Sequence, residues 1–507
     1  MFDITVVLLS LVAMIFMLIK GYMRAGLILF SVVVLLLACG VITTEDALIG
    51  FSNKGVITVA LLFLISEGVS RNQALMPIVN RILPTKRCSI RRGLVTILPT
   101  VSAISAFMNN TPIVVIFTPY IKSWCSRKGL PLKKFLIPLS YAAILGGMCT
   151  LIGTSTNLVV HGLMLDAGFS GFTLFELGKV GVIIAIAGIG YILLLGPKRL
   201  PNDSDEITPK DKHIVQAVLS SRFPGIECSM SEFDFRRHYG ADIIAVQREG
   251  VELEQLDQYR FRENDTLILS TDSNFIDNWG ESRVFLILTN GTEHYKPSPR
   301  WKRILSLLLL IVMVVGAAIS DTNFIGGAIG SKGCDMFFWA AIITVIMALC
   351  NIFPAKSYTK YISWDILITI ASALAISRAM ILSGLAEWMA WSLIDLCSSS
   401  SPHLVLAALY LTTNLITELI TNNAAAAFAF PIALSAAQGL GVSPMPFFVA
   451  ISIAASASFC TPIGYQTNMI VQSLGRYSFA DFIRIGLPLS IITFTISMIF
   501  IPLFWKF

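Results

Sequence analysis

The sequence predicts an all-α polytopic membrane protein of two inverted repeats, each about five transmembrane helices plus a re-entrant hairpin, with a small α/β cytosolic domain inserted between them. Three observations lead there. Of the 507 residues, 55% are hydrophobic and only 13% are charged, whereas an ordinary soluble chain carries about a quarter charged residues. Apolar runs long enough to cross roughly 30 Å of hydrocarbon alternate with short loops that collect Lys and Arg. Polar residues interrupt the apolar sequence in matching order in the two halves, first at Ser105–Pro112 and Gly153–Asn157, then at Thr417–Ala424 and Gly464–Asn468.

Taken in order, residues 2–19 are apolar, with no basic region before them and no convincing small-residue cleavage site after. They read as a retained membrane helix rather than a signal peptide. A basic turn, Lys20 to Arg24, leads to a span over 25–42, and an acidic loop around Glu45 and Asp46 leads to another over 55–70. The stretch from Arg71 to Arg92 collects six basic residues, among them Arg81, Lys86 and Arg87, and predicts an amphipathic helix on the cytosolic membrane surface. Residues 93–120 are apolar but broken by Met108-Asn109-Asn110-Thr111-Pro112. Each half is too short to cross, and Pro112 with the polar pair would interrupt a straight helix, so a hairpin satisfies the backbone better. Basic residues on both sides, including Lys122, Arg127, Lys128, Lys133 and Lys134, return it to the cytosol. Residues 135–165 then cross outward, interrupted at Gly153, and 175–196 come back to Lys198 and Arg199.

The character changes over about 203–295, where charge is dense and the runs Asp242–Val246 and Thr266–Leu269 read as short strands. Membrane sequence resumes at 302–320, 336–353 and 364–380, with Lys356 and Lys360 on the cytosolic side. The run 405–437, broken at Thr421-Asn422-Asn423 and followed by a chargeless loop, predicts a second hairpin entering from outside. Residues 446–473 carry the last interruption, Arg476 and Arg484 mark the cytosol, and 485–504 form the final span. The domains expected are 1–202, 203–298 and 299–507.

Polar groups in hydrocarbon are costly unless they bond each other, backbone, or cargo. Paired interruptions in two halves point to a secondary transporter whose site lies at the midplane. Short helices ending there present free N–H groups and positive dipole ends that attract anions, while carbonyls and side-chain oxygens suit a hard cation. Neither cluster contains Lys or Arg, so a dianion would need co-bound cations. Small polar residues also glue membrane helices, but four clusters in repeated order exceed what glue requires.

These residues resemble the divalent-anion:sodium symporter family of the ion transporter superfamily, whose hairpin tips carry Ser-Asn-Thr motifs. Here the tips are Asn109-Asn110-Thr111 and Thr421-Asn422-Asn423, and the likeness extends over essentially all the membrane sequence, including Ser140 to His161 with its Gly146-Gly147 pair. The resemblance implies one sodium at Ser105, Asn110 and the Gly153 carbonyl. It implies a second at Thr417, Asn422 and the carbonyls of Ile420 and Gly464. The anion would lie between Asn109, Asn110, Thr111 and Thr421, Asn422, Asn423, flanked by Thr156 and Thr467. Asn109 and Asn423 depart from the motif and alter the donors and bulk of the pocket.

The inserted domain, with Phe233-Asp234-Phe235-Arg236-Arg237, resembles the TrkA C-terminal domains found in this superfamily. That likeness implies ligand sensing or dimer contacts; a passive folded insert stands beside it. Members with such an insert resemble the sulfate-type branch, so sulfate or a related oxyanion leads and a dicarboxylate is second. The family also implies sodium as coupling ion, no organic cofactor, a homodimer, and a bacterial inner (plasma) membrane with the insert in the cytoplasm.

Other classes fare less well. No catalytic constellation or glycine-rich phosphate loop points to an enzyme, and no basic face with interleaved aromatics points to nucleic acid. The nine cysteines are scattered, without metal spacing. A sodium/proton antiporter would need a buried titrating carboxylate, and a membrane sensor would bind the anion without turnover. Glu67, near the basic stretch, is expected to pair with a cation. Glu418, beside the second tip, either strengthens cation binding or pins the hairpin. His161 reads as a solvated helix end and Asp365 as a helix start near Ser363.

Overall fold

The computed structural model describes residues 2–20, 23–72, 74, 89–201, 214–230, 232–248, 251–253, 259–271, 275, 279, 282, 284–289, 299–321, 336–396 and 401–507. The first half contains α1 (Phe2–Lys20), α2 (Ala25–Ala38), α3 (Thr44–Ser52) and α4 (Lys54–Arg71). It continues with α5 (Ile90–Ser105), α6 (Asn110–Lys128), α7 (Leu136–Gly147), α8 (Ser155–Asp166) and α9 (Gly178–Arg199). Among the described residues, seven stretches are long and apolar enough to cross a membrane, and the chain is an integral, multi-pass membrane protein. Their outward faces carry the large apolar residues, such as Leu9, Phe16, Ile491 and Leu503, because in lipid the apolar side chain needs no interior.

Between the halves, β1 (Ile214–Leu219), α10 (Phe235–Tyr239), β2 (Asp242–Arg248), β3 (Val251–Glu252), β4 (Thr266–Ser270) and β5 (Phe285–Thr289) build an antiparallel sheet of order β3-β2-β4-β1-β5. An aromatic cluster of Phe223, Phe233, Phe235, Tyr239 and Phe261 forms its core. Asp234 caps α10 by accepting from the Arg237 N–H at 3.1 Å, and Gly240 ends it at φ +69°, a conformation glycine adopts without strain. Asp265 accepts from both Arg248 Nε and Nη2 at 2.9 Å and from the Arg262 N–H at 2.8 Å. The loop entering β4 is fixed in this way.

The second half contains α11 (Arg300–Asp321), α12 (Met336–Leu349), α13 (Trp364–Leu382), α14 (Leu385–Leu396) and α15 (Pro402–Thr417). It ends with α16 (Asn422–Leu440), α17 (Met445–Ser456), α18 (Gln466–Gly475) and α19 (Phe479–Phe504). Packing repeats within each half and also joins the two halves. α5 lies on α7 as α15 lies on α17; α9 and α19 pack together; α6 meets α18 while α16 meets α8. Missing side chains allow the closest approaches. A Cβ on Gly50 would stand 2.2 Å from the Ala371 oxygen, and one on Gly146 2.1 Å from the Ser102 oxygen.

The sheet rests on both halves. Lys122 of α6 donates to Gln216, the Thr266 and Ser473 hydroxyls bond, and Arg222 Nη2 donates to the Ile362 oxygen at 3.3 Å.

Three expectations need revision. The acidic segment at Glu45 and Asp46 is the first turn of α3, because Thr43 and Asp46 form a capping box: Thr43 Oγ1 accepts from the Asp46 N–H at 3.2 Å and Asp46 Oδ2 from the Thr43 N–H at 3.1 Å. Helix α14 was not anticipated; at 12 residues with Glu387 and Asp395 it is too short and too charged for a span. The interruptions of the long segments fall at 148–154 and 457–465, slightly earlier than the polar residues suggested, so that Asn157 and Asn468 lie inside α8 and α18. Most of the basic stretch expected on the membrane surface, 75–88, lies outside the described residues.

Candidate functional site

Each hairpin turns on a hydroxyl and an asparagine five residues apart. At the first tip, Ser105 Oγ, at the end of α5, donates to Asn110 Oδ1 at 2.6 Å, and both residues are fully buried. At the second, Thr417 Oγ1 lies 2.9 Å from Asn422 Oδ1 and 2.7 Å from the Ala455 oxygen. Glycines make room beside both. A Cβ on Gly147 would stand 2.6 Å from Asn110 Oδ1; one on Gly464 would stand 2.0 Å from Ser458 Oγ and 2.5 Å from the Thr417 oxygen.

The broken helices are knitted by the same bonds at the same spacing. Asn157 Nδ2 donates to the oxygens of Gly147 and Thr150 at 3.4 and 2.8 Å. Asn468 Nδ2 donates to those of Ser458 and Thr461 at 3.0 and 3.3 Å. Thr150 Oγ1 in turn donates to the Ala106 oxygen, as Thr461 Oγ1 donates to the Glu418 oxygen. Each break is therefore tied to the tip of its own half, and its buried carbonyls are satisfied by an amide that the next helix carries.

The halves are also bonded to each other. Thr111 Oγ1 donates to Gln466 Oε1 at 3.3 Å, joining the starts of α6 and α18. Ser155 Oγ donates to Asn423 Oδ1 at 3.1 Å, with Thr156 Oγ1 3.5 Å from the same oxygen, joining the starts of α8 and α16. Four helix N-termini thus converge. The residues preceding α8, α16 and α18, namely Thr154, Thr421 and Tyr465, offer no side-chain cap, so backbone N–H groups and positive dipole ends face the centre. Tyr465 bridges it: Asn110 Nδ2 donates to its hydroxyl and Thr154 Oγ1 is 2.9 Å from it.

Of the remaining residues singled out in the sequence, Thr467 is buried, with its Oγ1 2.9 Å from Ser140 Oγ. Asn109 lines a cleft with Phe107, Met108, Ser155 and Phe63. Thr421 is exposed and Ile420 is buried. Glycines at 153 and 464 lie at the far ends of the two breaks, where a Cβ on Gly153 would stand 2.5 Å from the Gly147 oxygen.

Glu418 has a defined place. Its two oxygens accept from the N–H groups of Phe459, Cys460 and Thr461, each at 2.8 Å, and from Ser458 Oγ at 3.2 Å. A carboxylate saturated by four donors anchors the second break to the second tip; the matching position in the first half is Ala106. His161 is half-buried rather than solvated, its Nδ1 accepting from the Phe172 N–H at 3.0 Å. Asp365 sits in the first turn of α13 after Ser363 and accepts from the Gly26 N–H at 3.1 Å. The Glu67 charge acts on the Arg222 guanidinium.

Sequence reasoning did not single out Tyr465, Gln466 or Ser140. Tyr465 and Gln466 stood within a quoted cluster, and the signal was their position rather than their type. Each occupies a helix start whose partner in the other half, Thr154 or Ser155, is a hydroxyl. Among the described residues no group of three or more His, Cys, Asp and Glu side chains could hold a metal ion.

The sequence signature of the citrate transporter family (CitMHS) matches residues 11–334 and 329–507. An uncharacterized transporter of Synechocystis is 28% identical over 568 aligned positions, covering 91% of this chain and 90% of that one. The sodium/sulfate cotransporter 1 of Chlamydomonas reinhardtii is 22% identical, covering 89% of this chain and 84% of its own. Among solved structures, the YdaH transporter of Alcanivorax borkumensis aligns at a TM-score of 0.48 and 12% identity, over 91% of this chain and 87% of that one.

Proposed function

The chain belongs to the citrate transporter family, and from that premise we propose that it is a sodium-coupled symporter of a small divalent anion. It is a transporter and not an enzyme. The observation that carries the reading is the convergence of four helix N-termini and two tip asparagines on one buried centre that, among the described residues, contains no Lys or Arg. Such a centre attracts an anion through backbone N–H groups and helix dipoles. Its carbonyl, hydroxyl and amide oxygens suit sodium, whose charge offsets that of a dianion.

In this proposal one sodium takes Ser105 Oγ, Asn110 Oδ1 and the Gly153 carbonyl. The other takes Thr417 Oγ1, Asn422 Oδ1 and the carbonyls of Ile420 and Gly464. The anion is bound by Asn109, Asn110, Thr111, Thr421, Asn422 and Asn423, with Thr156 and Thr467 at its flanks. The regions 1–202 and 299–507 act as inverted repeats, and the hairpin-bearing part moves against a part held still in a homodimer. The insert, 203–298, faces the cytoplasm of a bacterial inner membrane and is of the TrkA C-terminal type.

Sulfate or a related oxyanion leads, supported by the relative named as a sodium/sulfate cotransporter. The family's description supports a second reading, a citrate-like carboxylate. Uptake of labelled sulfate into proteoliposomes, with and without an inward sodium gradient and with excess citrate or succinate, separates them. Sodium-dependent uptake that the carboxylates leave untouched is the result expected. Uptake that they block moves the assignment to a carboxylate carrier, and labelled sulfate that never enters removes the oxyanion reading.

A further inference from the structure

Where α18 meets the insert there is a second cleft, apart from the transport centre. The insert lines it with Arg248, Arg262 and Asn264, and α18 lines it with Met469, Gln472 and Ser473. Its walls are joined by the bond between the Thr266 and Ser473 hydroxyls and by Asn264 Nδ2, which meets Met469 Sδ at 3.8 Å. Gln472 is only 4% exposed, and its side-chain amide bonds no other described residue. Asn264 Oδ1 is likewise buried without a partner. Buried amide groups are costly to leave unpaired, and here one from each wall is unpaired at the same cleft.

The charges around the cleft leave one guanidinium over. Asp265 is occupied by Arg248 Nε and Nη2, by the Tyr259 hydroxyl and by the Arg262 N–H. Glu263 lies in the field of Arg24. The Arg262 guanidinium is exposed and pairs with no other described residue. A guanidinium and an amide N–H₂ are donors for an anion's oxygens, whereas an amide oxygen needs a hydrogen. We infer that this cleft binds a small oxyanion carrying a hydroxyl, of the hydrogen phosphate kind: Arg262 and Gln472 hold its charged oxygens and Asn264 Oδ1 accepts from its O–H. The bound anion ties α18, whose Gln466 bonds Thr111 of the transport centre, to the insert. The insert is itself held to the start of α2 and the segment before α13, with the Ser221 oxygen accepting from Arg24 and Arg222 Nη2 donating to the Ile362 oxygen. Occupancy therefore braces α18 against those segments and slows transport, a consequence that rests on the transporter reading above.

The test is equilibrium binding of labelled phosphate and labelled sulfate to the purified full-length chain in detergent, native and as Arg262→Gln and Gln472→Leu. Each is measured in potassium chloride and in sodium chloride. In potassium the native chain is expected to bind phosphate, and to bind sulfate, which has no O–H, more weakly by on the order of tenfold, the size of one hydrogen bond in binding. Each variant should lose phosphate affinity by on the order of tenfold, with the sodium-dependent part of sulfate binding unchanged. Arg262 is exposed and carries the comparison if the buried Gln472 variant does not fold. In proteoliposomes, phosphate should slow sodium-driven uptake by the native chain and not by Arg262→Gln.

Absence of phosphate binding in potassium would overturn the inference, as would equal binding by the native chain and Arg262→Gln, or sulfate bound as tightly as phosphate. Uptake slowed equally in both would place the phosphate at the transport centre and overturn the bracing role. Sulfate binding without any sodium dependence in the native chain would instead remove the sodium/oxyanion reading of the transport centre, while the potassium measurement still decides the cleft.

Discussion

Glu418 separates two mechanisms through its bonds alone. A proton relay needs a carboxylate with an oxygen available to exchange protons, whereas both oxygens here are held by three backbone N–H groups and a serine hydroxyl. Replacing it by Gln puts an amide N–H₂ against at least one donor, which costs about 1–3 kcal/mol per unsatisfied group. Glu418→Gln should therefore lower the melting temperature while leaving no pH-driven sodium exchange to abolish. Sodium/proton exchange in the native protein that this variant removes would establish an antiporter instead. Gly147 poses a simpler test. A Cβ there would stand 2.6 Å from Asn110 Oδ1, and overpacking of this kind costs about 1–3 kcal/mol. Gly147→Ala should displace the tip amide and suppress sodium-coupled uptake with the fold retained; uptake at the native level would show that Asn110 can move without consequence.

At the scale of elements, the turns and breaks that build the candidate site were legible because polar residues are rare in membrane sequence. Asn109-Asn110-Thr111-Pro112 and Thr421-Asn422-Asn423 announced the turns between α5 and α6 and between α15 and α16. The breaks at 148–154 and 457–465 were less exact, since their amides act from inside the following helix, seven and ten residues beyond the carbonyls they satisfy. Helix α3 was hidden because its two acids read as loop until their capping role with Thr43 is seen. Tyr465 was hidden because a tyrosine amid apolar residues reads as core, and its hydroxyl's partners, Asn110 and Thr154, come from the distant first half. Outside the spans, Glu176 joins the start of α9 to the C-terminal end, accepting from Lys179 Nζ at 2.8 Å, Trp505 Nε1 at 2.9 Å and Thr173 Oγ1 at 3.0 Å. Burial alone would raise its carboxyl, but these donors carry it below the usual range. A depressed folded-state pKa means stability that is present above the unfolded value of about 4.3 and lost as pH falls through the folded one. The native melting temperature should drop over that acidic window by more than that of Glu176→Gln; equal slopes would leave the carboxylate without a role.

For the whole molecule, the recurrence of one bonding pattern in both halves is the feature from which the account is built. Ser105 with Asn110 repeats as Thr417 with Asn422, Asn157 repeats as Asn468, and Thr111 with Gln466 repeats as Asn423 with Ser155. Small residues at the crossings let the halves approach, and the sheet between them bonds α6 and α18 on one side and the segment before α13 on the other. In the proposed mechanism the two tips take equal parts in holding sodium and anion together. The most direct measurement is sodium-driven anion uptake by Asn110→Ala and Asn422→Ala, each reconstituted at native density after a check that it folds. Loss of coupled uptake in both variants is the predicted result. Native uptake in either one would contradict the paired site.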